Sequence, residues 1–350
     1  MKSKLFKTLC AAALALGLFT FSQAQTQAQT KLRMGTLAPR DTTFHKTIMD
    51  MGEAWKKASG GKVTLTVYTD GQMGSEADMV RRMRVGQLQA AMLTVGGLQA
   101  IEPEVGALQN MPLVFRDFDE LDYISSKLEP ELEKKFAEKG FVVLFWADAG
   151  WVRFFSKKPL LMPEDTKNLK LFVTAGDTAT LDIVKSFGIK GIPLSVTDIL
   201  TGLQTGLIDA VPTIPLYALT GQFDGTASHM TDINYAPLVG ATVVTKKAWD
   251  AFTPEQQAQF REAADVAGDK IRARSRVEAD ESVQAMVKRG LTVHELSPAQ
   301  KDAWSSFMEK NVYPVIRGKI VPAAKFDEVM KLLAEYRAKE KEAPKDVAKQ

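Results

Sequence analysis

The stretch Leu169–Pro215 constrains this 350-residue chain more than any other. It reads LKLFVTA, DTATLDIVKSFG, IKGIPLS, VTDILTGLQTGLI and DAVPTIP, so short β-branched apolar runs alternate with segments of three-to-four-residue apolar spacing. Val196, Ile199, Leu200, Leu203 and Leu207 share one face of the second helical segment. Ser195, followed three residues later by Asp198, has the form of a capping box at its start. Strand, helix, strand, helix, strand in that order predicts right-handed crossovers and a parallel sheet covered on both faces. Such sheets receive ligands beyond the carboxyl ends of their strands.

The same unit occurs earlier. Lys31–Ala38 reads as a strand, Asp41–Ala58 as a helix, and Lys62–Thr69 alternates with period two. A helix opening at Ser75 and the strand AAMLTVGG follow. Ser75 and Asp78 repeat the type and spacing of Ser195 and Asp198, and Gly86 and Gly206 each lie eleven residues past their serine. Two βαβαβ halves predict two lobes facing each other across a cleft.

Residues 1–24 have the form of a secretory signal peptide: Lys2, Lys4 and Lys7, an apolar core from Leu9 to Phe21, then Ser22-Gln23-Ala24 as the cleavage site. The apolar run falls short of the roughly 20 residues that a bilayer span needs, and Cys10 sits too early inside it for a lipid-attachment cysteine. Cleavage removes three lysines and no acid, so the formal charge of +3 becomes 45 − 3 − 42 = 0. That balance gives no argument for nucleic acid as a partner. Cys10 is the only cysteine, so the mature chain has neither a disulfide nor a thiol nucleophile.

Further along, Leu121–Lys139 reads as a charged amphipathic helix and Phe141–Gly150 as a buried strand continued by WVRFFS, with Trp151, Arg153 and Phe155 on one face. Val239–Phe252 reads as a strand and a short helix. Thr253-Pro254-Glu255-Gln256 opens a helix with nothing but Gly268 to interrupt it before Gly290. A helix of that length braces both lobes. Leu291–Leu296 is a returning strand, two helices close the fold, and 338–350 is a charged tail expected to be mobile. The fold class expected is therefore α/β, two-lobed and periplasmic-binding-protein-like, with a long helix across both lobes. Lobe I takes 31–150 with about 239–275, and lobe II takes 151–238 with about 276–337.

Catalytic patterns are missing. His45, His229 and His294 are far apart in sequence and lack metal spacing. There is no G-x-S-x-G elbow, no phosphate loop and no G-x-G-x-x-G. The expectation is a non-enzyme without cofactor or metal. Two readings of Arg153 stay open: a rim arginine over the aromatic rings of Trp151, Phe154 and Phe155, or a cleft arginine offering its fork to an anion.

The chain resembles the DctP-like extracytoplasmic solute-binding subunits of tripartite ATP-independent periplasmic (TRAP) transporters. The resemblance is carried by Gln72-Met73-Gly74, by Arg153 with Lys158-Pro159, by Pro163-Glu164-Asp165 leading into Leu169-Lys170, and by Leu203-Gln204-Thr205-Gly206 with Asp209. It covers nearly all of the mature chain, to about Tyr336. It implies a periplasmic protein that captures a small organic acid and passes it to TRAP membrane subunits, with an arginine in the strand after Leu-Lys to pair the carboxylate. Here Phe172 stands in that place, Thr213 where an asparagine is common, and Val196 where an aromatic is common. The ligand-binding set expected is Arg153, Phe172, Thr213, Trp151, Val196, Tyr217, Thr36 and Thr94. Backbone donors near Ala38–Asp41 and Gly176–Thr178 would assist an anion.

Losing the main arginine leaves a buried carboxylate short of partners that offset its desolvation. Phe172, Val196, Trp151 and Tyr217 would make an apolar wall suited to a larger or less charged ligand, unless Phe172 is an ordinary core residue. Some relatives of that kind are paired with helical-repeat lipoproteins. The alternatives are a carboxylate binder using Arg153, and a sensor or scaffold signalling to a membrane partner.

Overall fold

The computed structural model describes residues 29–342; the expected signal peptide lies outside them. The first unit comprises β1 (Thr30–Thr36), α1 (Thr43–Ala58), β2 (Val63–Tyr68), α2 (Glu76–Arg84) and β3 (Ala90–Thr94). After α3 (Phe118–Glu138) comes β4 (Phe141–Ser156), one strand of 16 residues. The second unit comprises β5 (Lys170–Thr174), α4 (Thr178–Ser186), β6 (Lys190–Leu194), α5 (Ile199–Thr205) and β7 (Ala210–Thr213). Then follow α6 (Pro215–Thr220), β8 (His229–Thr245), α7 (Pro254–Val287), β9 (Thr292–Glu295), α8 (Pro298–Phe307) and α9 (Ala323–Glu342).

All nine strands join one sheet in the order β2-β1-β3-β8-β4-β7-β5-β6, with β9 on β8. In each unit the first strand lies between the other two and pairs with both in parallel, as the alternation of strand and helix predicts. The units are joined by the antiparallel pair β4–β8, which runs through both lobes. Its register shifts between Val143 and Phe145, between Asp148 and Trp151, and between Val152 and Phe154. Bulges of this kind bend a strand, and Gly150, at a φ of 95°, sits inside the middle one.

The first ten residues of β8, His229–Leu238, read as no strand in the sequence. They are mostly polar or small, and Pro237 has no amide hydrogen for a ladder. The proline is accommodated because it pairs with Trp151 at the edge of that shift.

The expected capping boxes part company. Ser75 accepts from the Asp78 amide at 3.2 Å while Asp78 accepts from the Ser75 amide at 3.1 Å. Ser195 makes no such bond; its hydroxyl meets the Thr197 hydroxyl at 2.9 Å, and a 3-10 turn over Val196–Asp198 leads into α5. Leu207 also leaves the predicted face, 48% exposed, because Gly206 ends the helix in the left-handed region at a φ of 74°.

The 34-residue helix α7 is about 50 Å long at 1.5 Å per residue. Its start is capped as expected, by Thr253 and Gln256. At its first-lobe end Phe260 stacks on Trp55 of α1 at 4.8 Å, and Trp55 Nε1 donates to the Phe260 carbonyl at 3.0 Å. In its middle Gly268 lies so close to Phe145 of β4 that a Cβ there would approach to 2.8 Å. Arg276 then pairs with buried Asp148 of β4 and exposed Asp122 of α3, at 2.8 and 2.6 Å.

The closing helix α9 packs on α3, where Arg337 holds buried Glu120 at 2.7 Å and Lys325 holds Glu131 at 3.1 Å. Its neighbours are therefore those of the first lobe, although the sequence reading placed the chain to 337 with the second. It also continues to Glu342, past the residue where the tail was expected to begin; 343–350 lie outside the described residues. His229 and His294, far apart in sequence, meet at 2.9 Å because β9 runs parallel to the start of β8. Among the described residues no three metal-ligating side chains gather.

Candidate functional site

Between the two units lies a cavity of about 560 Å³, within the size range of small-molecule sites. The carboxyl ends of β3, β5 and β7 open onto it, through Thr94, Thr174 and Thr213. Lobe I contributes Leu37, Asp70, Ser75, Glu76 and Asn110. Lobe II contributes Phe172, Asp177, Ile183, Val196, Ile199 and Leu200. Val152, Tyr235 and Leu238 of the β4–β8 crossing form the back. The lobes come close at the rim, where a Cβ on Gly176 would stand 3.8 Å from Ser75 Oγ.

Five of the eight expected site residues line this space: Phe172, Thr213, Val196, Tyr217 and Thr94. Phe172 serves as core and wall together, since it also packs in the cluster holding Phe155, Ile199 and Phe223. Thr36 lies in a side recess of about 50 Å³ that shares Glu76, Thr94 and Tyr217 with the main cavity. Its hydroxyl accepts from the Ala38 amide at 3.1 Å.

Trp151 and Arg153 are elsewhere. The Trp151 ring is buried against Phe118 at 5.0 Å. Arg153 pairs across the sheet with Thr213, yet its guanidinium turns to Asp232 at 2.8 Å and is only 15% exposed. A buried guanidinium takes the nearest carboxylate, because leaving either charge unpaired costs several kcal/mol. Asp232 thus holds Nη1 of the fork expected for an anion, while the Arg153 Nε has no partner among the described residues.

The backbone donors expected to assist an anion are also taken. Arg40 donates to Asp70 at 3.2 Å, and Asp41 donates to His45 Nδ1 at 3.1 Å. At the second place Asp177 and Thr178 donate to the carbonyls of Thr174 and Gly176, at 3.0 and 3.1 Å. In both places protein acceptors already hold these amides.

Sequence reasoning missed the strongest electrostatic feature. Asp70, Glu76 and Asp177 all line the cavity, and no Lys, Arg or His does so among the described residues. Glu76 follows the cap serine of α2 and is only 8% exposed. The Thr94 amide donates to its Oε1 at 2.7 Å and the Thr94 hydroxyl to its Oε2 at 2.6 Å. Burial raises its pKa to about 7; the Thr94 donors oppose that rise and Asp177 adds to it. Burial likewise raises the Tyr217 hydroxyl, and Glu76 and Asp70 push it further. An acid in the first turn of a helix ordinarily complements the helix dipole. For that reason nothing in the local pattern separates Glu76 from a solvated cap.

The fold has counterparts among solved structures. A TRAP periplasmic solute-binding protein from Fusobacterium with bound sn-glycerol-3-phosphate superposes with a TM-score of 0.79 at 24% identity, covering 89% of this chain and 99% of that one. One from Sulfurospirillum deleyianum with bound succinate gives 0.78 at 22% identity, covering 88% and 99%. In sequence, the C4-dicarboxylate-binding periplasmic protein DctP of Rhodobacter capsulatus is 22% identical over 270 residues, 77% of this chain and 81% of that protein. Residues 34–316 match the family described as bacterial extracellular solute-binding protein, family 7. With a two-lobed sheet, a bracing helix and a cavity between duplicated halves, the chain belongs to that DctP family of extracellular solute-binding proteins.

Proposed function

We propose that this protein captures a small organic solute in the cavity between its lobes and delivers it to the membrane subunits of a TRAP-type transporter, and that the solute is more apolar than a carboxylate. The observation that carries the second part is the lining. Phe172 occupies the expected arginine position, Arg153 is held by Asp232, and no basic side chain faces the cavity among the described residues. Taking a carboxylate out of water without a paired donor costs several kcal/mol, and nothing in this lining offsets it. Phe172, Val196, Thr213, Tyr217 and Thr94 are the residues assigned to ligand contact; Arg153 and Trp151 are assigned to holding the β4 seam.

Export through residues 1–24 would place the protein in the periplasm. The parting of the lobes runs through the bulged middle of β4 and β8, so closure is a bend of that strand pair. A helical-repeat lipoprotein is a suitable second partner if the solute is poorly soluble.

The similar protein with bound succinate favours the other reading, a carboxylate held by Arg153. That reading requires an anion to reach Arg153, whose Nη1 is held by Asp232. Native mass spectrometry of protein purified from its own host decides between them. The expected co-purifying mass is a solute without a carboxylate. A dicarboxylate or sugar acid, lost in Arg153→Ala, would establish the ordinary acid binder instead.

A further inference from the structure

The cavity's charge also constrains its guest, an argument that rests on the solute-binding reading above. Each of the three lining carboxylates is fixed by protein donors: Glu76 by Thr94, Asp177 by the Thr180 amide, and Asp70 by the Thr69 hydroxyl at 2.7 Å and the Arg40 amide. Every carboxylate oxygen has two acceptor sites, so the oxygens retain free lone pairs. Their charges are felt within the lining: beside burial, Asp177 raises the Glu76 pKa, and Glu76 and Asp70 add to the rise at Tyr217. No basic side chain of the lining relieves this repulsion among the described residues.

The same cavity has an apolar part of its lining, with Phe172, Val196, Ile199 and Leu200. We infer that the solute is an amphipathic cation, with an ammonium or amidinium seated against Glu76, Asp70 and Asp177 and an apolar body along the Phe172 wall. A cation there removes like-charge repulsion and gains charge-assisted hydrogen bonds. An anion would place further negative charge beside Asp70, Glu76 and Asp177, with no basic side chain of the described lining to offset it.

A pH signature follows. The groups acting on Glu76 are Thr94 from β3, the Gly97 amide and Asp177 from the start of α4, and Glu76 acts in turn, with Asp70 from the loop after β2, on Tyr217 of α6. Asp78, on the same helix, is already paired with Ser75 and Arg81. With a pKa of about 7, Glu76 is partly protonated at neutral pH, and a bound cation favours its ionised form. Cation affinity therefore rises from pH 6 to pH 8.

The test is calorimetric titration of ligand-stripped, refolded protein with three probes of one shape: 4-phenylbutylamine, 4-phenylbutanol and 4-phenylbutyrate. The amine is expected to bind most tightly, at least about tenfold over the carboxylate, and more tightly at pH 8 than at pH 6. Glu76→Gln should lower amine affinity about tenfold, the share of one hydrogen bond to a charged group, and flatten its pH dependence. Alcohol affinity should stay within about threefold, which shows that the variant is folded. Carboxylate binding equal to or tighter than amine binding overturns the inference, as does an amine affinity unchanged in both Glu76→Gln and Asp70→Asn. Either result leaves the solute-binding reading standing. If no probe binds, the inference fails too; if the host-purified protein also carries no solute, the solute-binding reading fails with it.

Discussion

The two βαβαβ units have the same strand order, yet they differ in depth of packing and in what they present to the cleft. In the first, α1 buries Phe44, Ile48, Met51 and Trp55, and the unit faces the cavity with Asp70 and Glu76. In the second, Val184 is the one fully buried apolar side chain of α4 among those described, and β6 has no buried residue. That unit faces the cavity mainly with Phe172, Ile183, Val196, Ile199 and Leu200. Duplicated topology has thus left packing and surface chemistry free to diverge. Strand order follows from the alternation of elements along the chain, whereas burial and charge depend on single side chains at strand ends.

The largest test of this asymmetry is in packing. Trp55→Ala should cost about 3–5 kcal/mol, as expected for emptying a fully buried aromatic site. Val184→Ala should cost about 1–2 kcal/mol for two methyl groups. Urea unfolding measures both, and equal losses would mean that the second unit is as well braced as the first.

Glu76 tests the acidic side. Its folded pKa, about 7, lies above the unfolded carboxylate value, so the folded state keeps a proton that the unfolded state has released. Its contribution is fully present below about pH 4.5 and is lost as pH rises towards 7. Across that window the wild type should lose about 1–3 kcal/mol relative to Glu76→Gln, which cannot titrate. Melting both proteins at several pH values checks it. Parallel curves would mean that Glu76 is ionised throughout and the cavity is wetter than its geometry implies.

The smallest effect is the sharpest for the repeat itself. Ser75→Ala should cost about 1 kcal/mol, the worth of a cap, and Ser195→Ala less than about 0.5 kcal/mol, because Ser195 caps nothing. Equal costs would show that the second box forms in solution.

Most of the fold was legible because its signals are local. Ser75 with Asp78, and Thr253 with Gln256, mark helix starts through contacts three residues apart. The second serine failed for an equally local reason, since in the turn at Val196–Asp198 the Asp198 amide donates to the Ser195 carbonyl, at 3.0 Å, and not to its hydroxyl. The start of β8 was hidden because its polar residues and Pro237 are stabilised only by β4 and β9. Phe172 was found from its place in the strand after Leu169-Lys170. Asp70 and Asp177 escaped notice because a carboxylate beside a turn or helix start carries no mark of facing a cavity.

That Phe172 stands in an arginine's place is what the resemblance to the DctP-like family implies; the duplicated α/β plan and the long bracing helix were determined by the amino-acid order itself. Each is written in periodicity, caps or residue identity at a fixed offset, over a few neighbouring positions. Only the tertiary structure decided that Arg153 is claimed by Asp232, that α9 joins the first lobe, and that three acids converge with no base among the described lining residues. Electrostatics inside a closed cleft depend on which groups meet across space, and chain neighbours do not encode those meetings.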